Sequence, residues 1–167
     1  MSLTKLLDLY NSGERYFAGV GVRRSTSELV GANLSNIILS GAYLSYTCLA
    51  DTNLRGAQLV GTFLLGSSLI GADLSGADLT GANLTNAWLN RANLTGAKLI
   101  GANLTGTQLI ETDLTNADLS ESILCQVNLS KIKLDEECHR QVLCTKALLW
   151  KTYLPDGTFI SSPRYHD

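Results

Sequence analysis

The side chains best able to do chemistry in this chain stand outside its most regular stretch. Both histidines, His139 and His166, lie toward the C-terminal end, and His139 follows Cys138 and precedes Cys144. Those three are metal-ligating residue types. Adjacent cysteine and histidine side chains on a helix point apart, however, and no fourth ligand is evident, so no metal site is expected. Cys138 and Cys144 could close a small disulfide loop in an exported protein. Asp8 interrupts the apolar residues between Met1 and Tyr10, so that stretch reads as mature protein, and free thiols in a cytoplasmic setting are the expectation. Arg23 and Arg24 form a small basic pair that reads as a solvated loop more readily than as an anion site. The formal net charge is −2, with none of the basic excess that direct nucleic-acid binding requires. No apolar run approaches the ~20 residues of a membrane span. Catalysis needs convergent groups in a concave pocket, which nothing in this text suggests, and no catalytic residue and no cofactor are expected.

What must position any other functional residue is the segment from Leu29 to Leu134, where every fifth residue is leucine. Two residues before each leucine stands a small or β-branched residue, such as Ala42, Thr52, Ala72 or Thr112, and two after it usually a glycine or a short polar residue. Neither a helix of period 3.6 nor a flat strand of period two keeps every fifth residue on one side. The chain must therefore turn once per repeat. With the leucine and the small residue pointing inward and the glycine or asparagine at the corner, each pentapeptide becomes one short side of a coil.

Stacking tests the number of sides. With four, residues twenty apart are neighbours at about 4.8 Å. The position before leucine then reads Asn33, Asn53, Asp73, Asn93, Asp113, Lys133 on one side and Ile38, Gln58, Asp78, Lys98, Asp118 on the next. No acid sits directly above another acid, as adjacent rungs require. Three sides would stack Asn33, Cys48, Phe63 and Asp78 without such logic.

The text Ala72-Asp73-Leu74-Ser75-Gly76, Ala77-Asp78-Leu79-Thr80-Gly81 and Ala82-Asn83-Leu84-Thr85-Asn86 resembles the pentapeptide-repeat proteins, and the likeness covers about two-thirds of the chain. It implies an all-β solenoid, a right-handed quadrilateral β-helix with four pentapeptides per coil. Leu6-Leu7, Gly13-Glu14-Arg15 and Phe17 are similar to the capping segment of cyanobacterial members. Some quinolone-resistance members are acidic rods that mimic DNA and bind type II topoisomerases. Resemblance therefore singles out Asp73, Asp78, Asp113 and Asp118 as candidate acidic columns. Lys98, Arg55, Arg91 and Lys133 interrupt them, which favours solvated faces whose Asn and Asp serve the stack.

The chain divides into residues 1–28, a helical cap with degenerate first repeats; 29–134, the β-helix; 135–160, a C-terminal helix and closing repeats; and 161–167, a polar tail expected to fray. Leu3, Leu6, Leu7 and Tyr10 recur at helical spacing after Ser2, with Gly13 ending the helix, which would lid the first coil. Phe17 and Val22 begin the register before a seven-residue step to Leu29. A second short helix is expected from Asp135, with Cys138, Val142, Thr145 and Leu149 on one side. Ala147 to Leu149, Thr152 to Leu154 and then Phe159 resume the inward register, with Pro155-Asp156-Gly157 as a turn.

The outward text is most unusual where it is apolar. Tyr43, Tyr46, Val60, Phe63, Leu65, Ile70 and Trp88 fall on successive sides of neighbouring coils, Tyr43 directly beside Phe63. A contiguous apolar and aromatic cluster on a rod marks a contact surface. The expectation is a non-enzymatic protein-protein interaction scaffold for a protein partner of unknown identity, with a homodimer through the apolar patch or an end cap as one form. The alternative is the topoisomerase-directed DNA mimic.

Overall fold

A computed structural model describes residues 1–22, 29–134 and 146–166. The Arg23-Arg24 step, the helix expected from Asp135, and Cys138, His139 and Cys144 lie outside the described residues.

The backbone accounting of one repeat explains the coil. In Ala72 to Gly76, Asp73 N–H donates to the Thr52 carbonyl of the coil before, while Leu74 and Gly76 N–H donate to the Asn93 and Thr95 carbonyls of the coil after. Ala72 N–H closes the corner turn on Leu69 at 3.1 Å. The remaining N–H, that of Ser75, donates to Asp73 Oδ1 at 3.0 Å. Every backbone donor of the pentapeptide is thus satisfied without a long strand. Parallel bridges link residues twenty apart, Asn33 to Asn53 to Asp73 to Asn93 to Asp113 to Lys133 on one face and Ile38 to Gln58 to Asp78 to Lys98 to Asp118 on the next. The third face carries Tyr43, Phe63, Asn83, Asn103 and Ile123, and the fourth Cys48, Ser68, Trp88 and Gln108. The chain is a four-sided stack of twenty-residue coils. We name the faces by their first regular member: the Asn33, Ile38, Tyr43 and Cys48 faces.

The leucines from Leu29 to Leu129, with the alanines and threonines before them, are buried along the axis. The corner residue has positive φ, the pattern of a type II turn. Glycine and asparagine were expected there, and Tyr46, Asp51, Arg91, Glu111, Glu121 and Gln126 adopt the same left-handed conformation. Coil closure overrides a cost of about 1–2 kcal/mol per residue.

Helix α1, Leu3–Asn11, starts at Ser2, whose hydroxyl accepts from Lys5 N–H, and its buried Leu3, Leu6 and Tyr10 join the axial core as a lid. The first coil is longer than the regular twenty residues: Tyr16 bridges Ile38 and Gly21 bridges Tyr43, a spacing of 22 residues.

The C-terminal end differs from expectation. Strand β1, Ile123–Cys125, pairs in parallel with β2, Ala147–Trp150, in the register Ile123 to Leu148. Leu149 therefore lies in a strand, not on a helix, and among the described residues α1 is the one helix. Strand β3, Thr152–Tyr153, and β4, Phe159–Ile160, form an antiparallel hairpin pairing Thr152 with Ile160 and Tyr153 with Phe159. Phe159 was expected inside. The turn reverses the chain, so Phe159 shares the outward side of Tyr153 and Ile160 takes the buried place beside Thr152. The polar tail does not end loose: β5, Arg164–His166, pairs antiparallel with β2.

Candidate protein-binding surface

The corner turn throws the residue before each leucine outward, and on the Tyr43 face that position carries rings. Tyr43 and Phe63 stack with centroids 4.8 Å apart and planes parallel, one coil rung after another. Tyr43 is 55% exposed and Phe63 40%, so α1 does not cover them. Leu65 is half-buried two residues after Phe63. Tyr46 stands at the corner leading to the Cys48 face, its ring lying so close over Gly66 that a Cβ there would meet Tyr46 Cε1 at 2.7 Å. Round that corner Ile70 is half-buried and Trp88 is exposed beside it. These six residues occupy two adjoining faces and their shared corner. Val60 is exposed on the adjoining Ile38 face, in the Leu59 to Thr62 turn that leads to Phe63.

Two exposed apolar residues belong with this surface and were missed. Val30 and Ile110 fall in the same twenty-residue column as Ala50 and Ile70 on the Cys48 face. Ile110 lines a shallow pocket with Ile70, Asn90, Arg91 and Glu111. Stacking the position after leucine, and not only the one before it, would have found both. A second aromatic pair, Tyr153 and Phe159 with centroids 4.7 Å apart, sits on the C-terminal hairpin.

The acid columns are committed to the fold. Asp73, Asp78, Asp113 and Asp118 each accept the N–H of the residue two further on through Oδ1, as Asn33, Asn53, Asn83, Asn93 and Asn103 also do. Partial burial pushes the Asp78 carboxyl up, but the Thr80 hydroxyl and N–H and the Lys98 charge outweigh it and hold the group below the ordinary 3.8. Stability drawn from that shift is present above the ordinary value and is lost as pH falls through the lowered one. Arg91 pairs with Glu111 at 3.1 Å, both well exposed. Among the described residues no group of three or more histidine, cysteine or acidic side chains is placed to hold a metal ion, and no helix is long and apolar enough to cross a membrane. Cys48 and Cys125 are free thiols, and burial pushes the Cys125 thiol up.

No curated protein matches the chain. Among solved structures it is similar to HetL, a pentapeptide repeat protein involved in heterocyst differentiation regulation from Nostoc sp. strain PCC 7120, at 24% identity over 95% of this chain and 99% of that one, with a TM-score of 0.30. A pentapeptide repeat protein from Nostoc Pcc 7120 is 30% identical over 85% of this chain and 94% of its own, with a TM-score of 0.26. The plasmid-mediated fluoroquinolone resistance protein QnrB1 is 15% identical over 72% of this chain and 75% of its own, with a TM-score of 0.48. The family model for pentapeptide repeats matches residues 27–56, 47–86, 77–116 and 92–130, the same stretch whose turns, bridges and buried leucines build the coils. The chain belongs to the pentapeptide-repeat family.

Proposed function

We propose that this protein is a non-enzymatic scaffold that binds another protein through the Tyr43 and Cys48 faces, on a β-helix that is right-handed like those of its relatives. The observation that carries this reading is the exposed Tyr43 and Phe63 stack with Tyr46 at its edge. Aromatic side chains supply large apolar area at little conformational cost, and contiguous exposed ones are typical of contact surfaces. The filled core offers faces and shallow grooves for recognition rather than a deep pocket. Pull-down from a native extract tests it. Phe63→Asp should leave the circular dichroism unchanged, because an aspartate there can accept the Leu65 N–H as Asp73 accepts that of Ser75, yet abolish capture. Unchanged capture would show that the surface is wrong.

The acid columns allow the other reading, a DNA mimic directed at a type II topoisomerase. A gyrase supercoiling assay separates the two. Asp73→Asn and Asp113→Asn keep the Oδ1 acceptor and remove only charge, so inhibition that weakens in the double variant would overturn the scaffold-only reading.

A further inference from the structure

Among the described residues the Cys48 face carries three unserved outward N–H groups in succession, where the Ile38 face has two in succession, at Ser40 and Val60, and the Tyr43 face two, at Ser45 and Leu65. Cys48, Ser68, Trp88 and Gln108 hold the outward position before leucine, and none is aspartate or asparagine. Where Asp or Asn occupies that position, its outward side chain reaches the N–H two residues on, which fixes the direction of that N–H as outward. On this face the cis acceptor is missing, and among the described residues no acceptor meets the N–H of Ala50, Ile70 or Asn90. The next N–H in the column, that of Ile110, is met from outside its own repeat by Asn90 Oδ1 at 2.9 Å. The face thus already takes a side-chain oxygen from a neighbouring coil. Below it stand successive outward donors about 4.8 Å apart, bordered by Ile70, Trp88 and Ile110 and with the Arg91 guanidinium at the corner.

We propose that this row binds an acidic segment of a partner protein, an aspartate or glutamate side chain accepting from the Ile70 and Asn90 N–H groups while an adjoining apolar residue packs on Ile70 and Trp88. The inference rests on the reading of these faces as a protein-binding surface and names the chemistry of the occupant. Carboxylates make shorter and stronger hydrogen bonds to N–H than neutral acceptors do; the four outward residues before leucine are uncharged, and the acids bordering the row stand at its corner, Asp51 with its carboxylate over Gly71 and Glu111. Glu111 at its rim is already held by Arg91.

The test titrates the isotope-labelled full chain with synthetic peptides of alternating leucine and aspartate, or leucine and lysine. The acidic peptide should shift the Ile70 and Asn90 amide resonances, and the basic one should not. Ser68→Asn restores the acceptor in cis, two residues before Ile70, without removing an apolar side chain. It should abolish the Ile70 response and weaken the acidic peptide about tenfold, while Ser68→Ala should leave affinity unchanged. Equal shifts with both peptides, no shift with either, or undiminished binding to Ser68→Asn would each overturn the proposal. The Phe63→Asp pull-down reads the Tyr43 face separately. Lost capture there alongside silent peptides would leave the scaffold reading standing and remove this one.

Discussion

At the scale of single residues, the threonines before leucine show how polarity is tolerated in a core this narrow. Thr52, Thr62, Thr107 and Thr112 are buried, and each hydroxyl donates to the leucine carbonyl 23 residues earlier, at 2.7 to 3.0 Å. Thr47 is equally buried, but its hydroxyl has no partner among the described residues. A buried hydroxyl without a partner costs more than it returns, whereas a bonded one contributes roughly 1 kcal/mol. Thr52→Val should therefore destabilise by about that amount and Thr47→Val should be neutral or stabilising. Thermal melts of the two variants measure the difference, and equal losses would mean that Thr47 is bonded after all.

The element of this fold is the corner, and its energetics are set by φ and by what lies on the neighbouring rung. Gly71 and Gly76 have φ of +69° and +64°. A Cβ at Gly71 would fall 2.3 Å from Asp51 Oδ1, whereas one at Gly76 meets nothing within 4 Å. Gly76→Ala should cost about 1 kcal/mol from the left-handed conformation alone. Gly71→Ala should cost more, and the excess should shrink when Asp51→Gly removes the colliding carboxylate; urea melts of both singles and the double would show it. Corners of this kind were legible because the period of five leaves no other way to bury each leucine. The C-terminal hairpin was not. Thr152 and Leu154 keep the small-residue and leucine spacing, which carried the inward register on to Phe159, but the Leu154 to Thr158 turn reverses direction, and reversal moves the buried place to Ile160. A one-sided pattern cannot report whether the next segment stacks in parallel or folds back. The aromatic pair Tyr43 and Phe63 was readable from stacking by twenty, while the free N–H row on the Cys48 face was not, because it depends on which backbone donors the side chains leave unserved.

Over the whole molecule, cooperativity follows from each rung being packed between two others. Leu84 is fully buried, with the Leu64 and Leu104 rungs on either side. Leu29 is also buried, but it belongs to the first regular coil, on the side of the stack that α1 closes. Replacing a buried leucine by alanine costs roughly 2–5 kcal/mol, the larger values arising where the surroundings cannot collapse into the cavity. A rung held in place from both sides by backbone hydrogen bonds is such a site. The lid is tied by contacts of another kind, such as Tyr10 Oη donating to the Ser35 carbonyl at 2.8 Å, and can settle toward a cavity beneath it. Leu84→Ala should therefore lower the melting midpoint more than Leu29→Ala, by several degrees at the roughly 2–4 °C per kcal/mol expected of a chain this long. Repeat stacks are stabilised by nearest-neighbour interfaces, so a break at Leu84 weakens two of them while one at Leu29 weakens one and the lid. Equal midpoint shifts would mean that the rungs do not form one continuous core.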